Sequence, residues 1–372
     1  MSVKPNRILV SPLNWGLGHA TRCIPLIKSL QQNHCEVIIG ANGAAATLLK
    51  QEFPSLPCIT TPGVVIKYSS SGSMFVWRLL LQIPLLLKQL HHEKKWLKQQ
   101  ISLLKIDCVI SDNRYGLHNP TIHSILITHQ LGILSGLGQW LDQLLNKFTF
   151  RLLNQFDEIW VPDHESPYAL AGVLSHPKKT PTPPVKYMGL LNRFSSLTNS
   201  VSVQPAHLLL FVSGPEPQRS LLEEIFRTEA VVYQGSFTLV CGKPSIAQEQ
   251  KITVKDRLSL LYGASTNSIY DHLEAHSLRK EIDKAEFIIC RSGYTSLMEL
   301  LPLGKKLLLI PTPGQAEQEY LAKYCEKKGY APYLLQHEFS VPKALQKIQQ
   351  FSYTPYQPPI IDLDEWIKNW LT

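Results

Sequence analysis

Apolar and polar positions alternate along this chain in a pattern of short strands and amphipathic helices. Compact apolar runs at Arg7 to Ser11, Cys35 to Gly40, Ile106 to Ser111, Ile122 to Thr128 and Glu158 to Pro162 read as strands buried on both faces of a parallel sheet. The second half repeats the pattern at His207 to Ser213, Ser236 to Gly242, Asn267 to Leu273, Phe287 to Cys290 and Lys306 to Pro311. Helical spacing fills the intervals His19 to Gln32, Ala41 to Phe53, Gly138 to Asn154 and Tyr294 to Leu301, with Pro54 and the Pro302/Gly304 pair as stops. Strand, glycine turn and helix recur in both halves, which predicts an α/β protein of two Rossmann-like domains. The expected boundaries are 1–187 and 188–360, with an amphipathic C-terminal segment at 361–372. The proline-rich stretch 175–187, SHPKKTPTPPVKY, reads as the rigid, extended linker between them.

One stretch departs from this pattern. Met74 to Leu90 is almost wholly apolar, but Arg78, Pro84 and Lys88 interrupt it, and it is too short and broken for a membrane span. The basic sequence HHEKKWLKQQ follows. The pair reads either as an interfacial helix on an anionic bilayer or as a core helix with a solvated tail.

Composition narrows the choices. A chain of 372 residues with 44% hydrophobic and 18% charged content can bury two cores. A net charge of +8 calls for an acidic ligand, an anionic membrane surface or nucleic acid, and no nucleic-acid or zinc-binding signature accompanies it. Seven scattered cysteines suit reduced, buried thiols, and the N-terminus leads straight into a strand. The expectation is a cytoplasmic protein without a nucleic-acid partner.

The candidate chemistry lies in the turns. Arg291, Ser292 and Gly293 close a strand–helix turn, and Tyr294 and Thr295 open the helix, where free N–H groups and the macrodipole favour a phosphate. Glu299, eight residues after Arg291, offers acceptors for a ribose diol. The loop from Thr312 to Glu319 adds Gly314, Gln315, Glu317, Gln318 and Glu319, which can bond sugar hydroxyls. These groups together describe a nucleotide-sugar pocket.

The first turn, PLNWGLG, carries Gly16 and Gly18 ahead of His19, which reads either as a general base or as a helix cap. Asp112, Asn113 and Arg114 end one strand, and His129 and Gln130 end another, so both groups should reach the edge that holds His19 as acceptor contacts. The bland alternatives are a turn cap for Asp112 and a satisfied buried imidazole for His129. Asp362-Leu363-Asp364 spells a metal-site acid pair, but outside any strand-end loop it reads as a helix cap.

RSGYTSLMEL and PTPGQAEQEY resemble the donor signature of the MurG-like GT-B glycosyltransferases, which move N-acetylglucosamine from UDP to a lipid-linked acceptor. The resemblance is strong over 265–325 and fair over 7–40. It implies two Rossmann-like domains facing across a cleft, with a final helix returning to the first. It also implies inverting, metal-independent transfer, with a UDP-sugar as co-substrate and no other cofactor. Arg291, Ser292 and Gly293 would approach the diphosphate, Glu299 the ribose, Gln315, Gln318 and Glu319 the hexose, and Leu273 to Ser277 the base. Gly16 and Gly18 would face the donor, and His19 or Asp112 would be the base. The family has a more glycine-rich loop where this chain has GPEPQR; here Gly214 remains and Arg219 is the expected substitute. The acceptor, soluble or lipid-linked, is not specified, and a site at the inner face of the membrane stays open. A non-hydrolysing UDP-sugar 2-epimerase and a silent nucleotide-sugar-binding protein are the alternatives.

Overall fold

The computed structural model describes residues 5–63, 75–136, 138–195, 197, 201–243, 251–252 and 267–372, with the backbone alone for 75–83 and 251–252. The chain divides into two units: one runs to Asn192 and recovers Pro358–Thr372, and the other spans Arg193–Gln357.

In the first unit, β1 (Arg7–Pro12), β2 (Glu36–Ala41), β3 (Cys58–Thr60), β4 (Cys108–Asp112), β5 (His123–Ile127), β6 (Glu158–Val161) and β7 (Val185–Tyr187) form one parallel sheet in the order β3-β2-β1-β4-β5-β6-β7. Its centre pairs Val10 with Ile39 on one side and Ile110 on the other. Ile8, Leu9, Val10, Val109 and Ile110 are fully buried, as continuous apolar strands under two helical layers must be. The helices are α1 (Gly18–Gln32), α2 (Gly43–Glu52), α3 (Phe75–Leu104) and α4 (Gln139–Leu153).

Two sequence expectations change. Residues 175–187 are not an interdomain linker, because Val185–Tyr187 pairs in parallel with β6 as the seventh strand. The first unit then continues past residue 187: Met188 N–H donates to Val161 O at 3.0 Å and Gly189 N–H to Asp163 O at 3.1 Å, and Leu191 is buried. The apolar stretch after Met74 is the start of the 30-residue helix α3, which carries Pro84 without ending. Leu97 on it is buried, while Lys94, Lys95 and Lys98 are exposed; the side chains before Pro84 lie outside the described residues.

The last helix of the chain spans Leu363–Leu371 and packs on α1, where Ser29 Oγ donates to Leu363 O at 3.2 Å. Trp366 and Trp370 meet the buried Trp160 edge-on, with centroids 4.7 and 4.9 Å away. Asp362 accepts from the N–H groups of Asp364 and Glu365, so it is the cap its position suggested.

In the second unit, β8 (Leu208–Phe211), β9 (Phe237–Val240), β10 (Lys251–Ile252), β11 (Ser268–Tyr270), β12 (Phe287–Cys290) and β13 (Lys306–Leu309) take the order β10-β11-β9-β8-β12-β13. Only the β10 pairing is antiparallel among these described strands. The helices are α5 (Gln218–Val232), α6 (Ala275–Lys284), α7 (Tyr294–Leu300), α8 (Ala316–Lys327) and α9 (Val341–Gln350), and α10 is the Leu363–Leu371 helix of the first unit. All seven cysteines are free thiols, and only Cys58 is not buried. Parallel pairing puts the strand C-termini of each sheet along one edge, and the polar turns collect there.

Candidate active site

In the first unit that edge carries a compact polar cluster. The turn after β1 swings into α1, which places His19 and Arg22 one helical turn apart on the same face. Neither His19 nor any other side chain caps α1, which excludes the bland reading of the histidine. His19 Nδ1 lies 3.1 Å from Asp112 Oδ1 at the end of β4. Arg22 grips the same carboxylate with both arms, Nε to Oδ2 at 2.6 Å and Nη2 to Oδ1. Its Nη2 is also 2.9 Å from His19 Nδ1, and its Nη1 is 3.3 Å from His129 Nδ1.

Asp112 is fully buried and Arg22 is 1% exposed, whereas the His19 side chain keeps 16% exposure. Burial alone would raise the Asp112 carboxyl, but Arg22 and then His19 outweigh it and hold it below the usual carboxylate range. Burial, ahead of any charge, pushes the His19 imidazole down, with Arg22 and His129 adding to that effect and Asp112 opposing it. Asp112 is thus a locked, ionised orienter. His19 is the group of this pair with access to a substrate.

Asn113 follows with φ +54°, a left-handed conformation that asparagine tolerates, and its Oδ1 is buried with no hydrogen-bond partner. It stays an acceptor-side candidate, as does the half-buried Gln130. His129, 5% exposed, belongs to the Arg22 cluster. Arg114 is taken up by partners outside the Asp112 cluster. It is 2% exposed, pairs with the buried Glu93 of α3 at 2.9 Å, and bonds Thr61 Oγ1 and Pro62 O, so it ties α3 to the loop after β3.

In the second unit three strand-end turns converge. Arg291 is 1% exposed; its Nη1 donates to Ile310 O and Pro311 O after β13, and its Nη2 to Gln218 O at the start of α5. Among the described residues no carboxylate pairs with it, and its buried Nε has no partner. Burial pushes this guanidinium down to about 10. It is therefore a staple of three loops and an uncompensated positive charge beneath them, not an arm extended over the turn.

Ser292 Oγ donates to Gln318 O, and Gln318 Oε1 accepts from Thr312 N–H at 2.9 Å. A Cβ at Gly293 would meet nothing closer than Gln318 Nε2 at 3.8 Å, so the turn lies open beside an amide donor. Glu319 accepts from Gly314 N–H at 2.9 Å, and Gln315 is the residue before α8. Tyr294 is buried and Thr295 half-buried at the start of α7, which continues as a 3₁₀ turn through Leu303. Glu274 precedes α6 at the stretch matched to base binding, and Leu273 there is buried.

Arg219 is not a substitute phosphate ligand. Its five N–H groups are spent on Glu216, Glu223, Cys241 O and Ser220 Oγ, which leaves none for an anion. Gly214, with φ +107° and open space around its missing side chain, is what remains of the glycine loop.

Glu299 is 3% exposed and faces Arg193, with Arg193 Nε 2.9 Å from Oε1 and Nη2 donating to Oε2 at 3.4 Å. Burial raises its carboxyl, and Arg193 opposes that shift. Arg22 and Arg193 are the two site residues that the sequence did not reveal. The three-residue spacing of Arg22 from His19 was a visible signal; nothing local marks Arg193.

Residues 210–361 match the glycosyltransferase family 28 C-terminal domain. Over nearly the whole chain there is similarity to an uncharacterized glycosyltransferase of Methanosarcina acetivorans, 23% identical over 343 residues and covering 87% of this chain and 84% of the relative. A shorter match, 33% identical over 82 residues and 22% of each chain, is to the UDP-N-acetylglucosamine--N-acetylmuramyl-(pentapeptide) pyrophosphoryl-undecaprenol N-acetylglucosamine transferase of a Thermoanaerobacter species. Among solved structures, the fold is similar to MurG of Acinetobacter baumannii, with TM-score 0.55, 15% identity and 99% coverage of both chains. It is also similar to the kitacinnamycin glycotransferase, with TM-score 0.63, 13% identity, and 99% and 94% coverage.

Proposed function

Starting from a chain that is a glycosyltransferase of the MurG-like GT-B kind, we propose that it transfers N-acetylglucosamine from UDP-N-acetylglucosamine to a hydroxyl acceptor, with inversion and without a metal ion. The observation that carries the donor half is Arg291. A buried cation without a carboxylate, set under the turn where α7 begins, is compensated when a diphosphate arrives above it. Gly293 leaves room for that approach, Gln318 Nε2 supplies a donor beside it, and Glu299 accepts from the ribose diol.

In the acceptor half, His19 removes the hydroxyl proton while the sugar–diphosphate bond breaks, and Asp112 orients the imidazole. The charge that develops on the departing diphosphate is stabilised by Arg291 and the start of α7, electrostatic work that a metal performs elsewhere.

The donor assignment is tested by calorimetry with UDP. The wild type should bind it, and Glu299→Gln should bind about 1–3 kcal/mol more weakly, because a ribose hydroxyl loses a charged acceptor. Unchanged affinity in the folded variant removes Glu299 from the pocket. No UDP binding by the wild type removes the donor reading itself.

We propose that the acceptor is lipid-linked and met at an anionic membrane surface. Lys94, Lys95 and Lys98 are exposed on α3, and α4 exposes Trp140 at 77%, Leu144 at 53% and Phe148 at 37%, with Lys147 and Arg151 also exposed on that helix. Apolar insertion and basic attraction at about 1 kcal/mol per residue suit such a surface. Among the described residues no helix is long and apolar enough to cross a membrane. Flotation with anionic vesicles should succeed at low salt, weaken as salt rises, and weaken again on reversal of Lys94, Lys95 and Lys98 to glutamate. A protein that stays at the bottom of the gradient at low salt contradicts the membrane reading.

A further inference from the structure

Arg22 takes no part in the steps above, yet it is among the largest fully buried side chains. Removing a guanidinium from water costs several kcal/mol, and a surface position on α1 would have avoided that cost. We propose that Arg22 is a positioning residue for the His19 base: it clamps both oxygens of Asp112 and cancels that charge, so His19 takes the acceptor proton as a neutral imidazole beside a neutral ion pair. This rests on the reading of His19 as the base.

The geometry supplies both parts. Asp112 Oδ1 is shared by Arg22 Nη2 and His19 Nδ1, and Oδ2 is held by Arg22 Nε at 2.6 Å with Cys23 Sγ 3.7 Å away. The carboxylate cannot rotate without breaking contacts on both oxygens. His19 Nδ1 therefore stands between an acceptor at 3.1 Å and a donor at 2.9 Å. When Nδ1 carries its proton and donates to Asp112, Nε2 keeps a lone pair for the acceptor hydroxyl. When Nδ1 accepts from Arg22, the proton sits on Nε2 and the base is silent. The groups facing the imidazole are Asp112 from β4, Arg22 from α1 and His129 from beyond β5; the first favours imidazolium and the other two disfavour it. An aspartate acting alone would strengthen the base, and Arg22 offsets it.

In the reaction the acceptor oxygen bonds to the sugar's anomeric carbon as the bond from that carbon to the diphosphate breaks. The acceptor proton passes to His19 Nε2 and then to water, and nothing is oxidised or reduced.

The test is the titration of His19, followed by NMR with ¹⁵N-histidine labelling in wild type, Arg22→Met and Arg22→Lys, beside the pH profile of kcat/KM. In Arg22→Met the His19 midpoint should rise by at least about one pH unit, and the acid limb of the profile should rise with it. Arg22→Lys keeps a charge but not the two-armed clamp, so its midpoint should stay near that of the wild type while kcat falls. If the methionine variant does not fold, a lysine variant whose midpoint rises and whose kcat is unchanged overturns the proposal. An unmoved midpoint in folded Arg22→Met overturns it as well. A midpoint that moves while the rate profile does not would strike instead at His19 as the base.

Discussion

His19→Ala is expected to lower kcat by about 10²–10⁴-fold, the range that a positioned general base contributes. Donor binding should hardly change, because the proposed donor contacts Arg291, Gln318 and Glu299 belong to the second unit and His19 to the first. The pH dependence has a definite sign. Burial lowers the imidazole below its ordinary value, and the neutral form is the active one, so wild-type activity should persist below pH 6.5 before falling as acid protonates the ring. In the alanine variant that acid limb should vanish. A folded variant with wild-type turnover would exclude His19 from the chemistry.

Asp112→Asn is expected to cost about 3–5 kcal/mol of stability, because it leaves Arg22 buried without its counter-charge. The carboxyl is held below the ordinary value of about 3.9, so its contribution is present above that pH and is lost as pH falls through the folded value. The deficit of the variant, read by urea denaturation, should therefore be full at pH 7 and shrink toward acid. Activity should fall too, since the imidazole loses its orienter. A variant as stable as the wild type at pH 7 would mean that the Asp112 charge is not what compensates Arg22.

The elements legible in the sequence were those whose pattern is local. β1, the glycine turn and α1 are written in one contiguous stretch, and so are β12, α7 and β13. β7 was hidden because three half-buried residues after a run of prolines have neither length nor alternation. The site divides in the same way. The edge that collects His19, Asp112 and His129 follows from parallel topology, which the strand order of the chain implies.

The arginines were harder, because an arginine's role depends on its partners. Arg219 has Glu216 and Glu223 at i−3 and i+4, a spacing that could have disclosed its internal pairing. Arg114 meets Glu93 from a different element, and Arg193 meets Glu299 across more than a hundred positions. No local signal encodes such encounters.

The central claim is transfer from a UDP-sugar, and it is tested most directly by incubating the protein with a panel of nucleotide sugars, in chelator, with and without anionic vesicles carrying lipid-linked hydroxyl acceptors. UDP release from UDP-N-acetylglucosamine, dependent on acceptor and retained in chelator, with an inverted anomeric linkage in the product, is the predicted result. Epimerisation of the sugar without net UDP release, or binding of the donor without turnover on any acceptor, would contradict it.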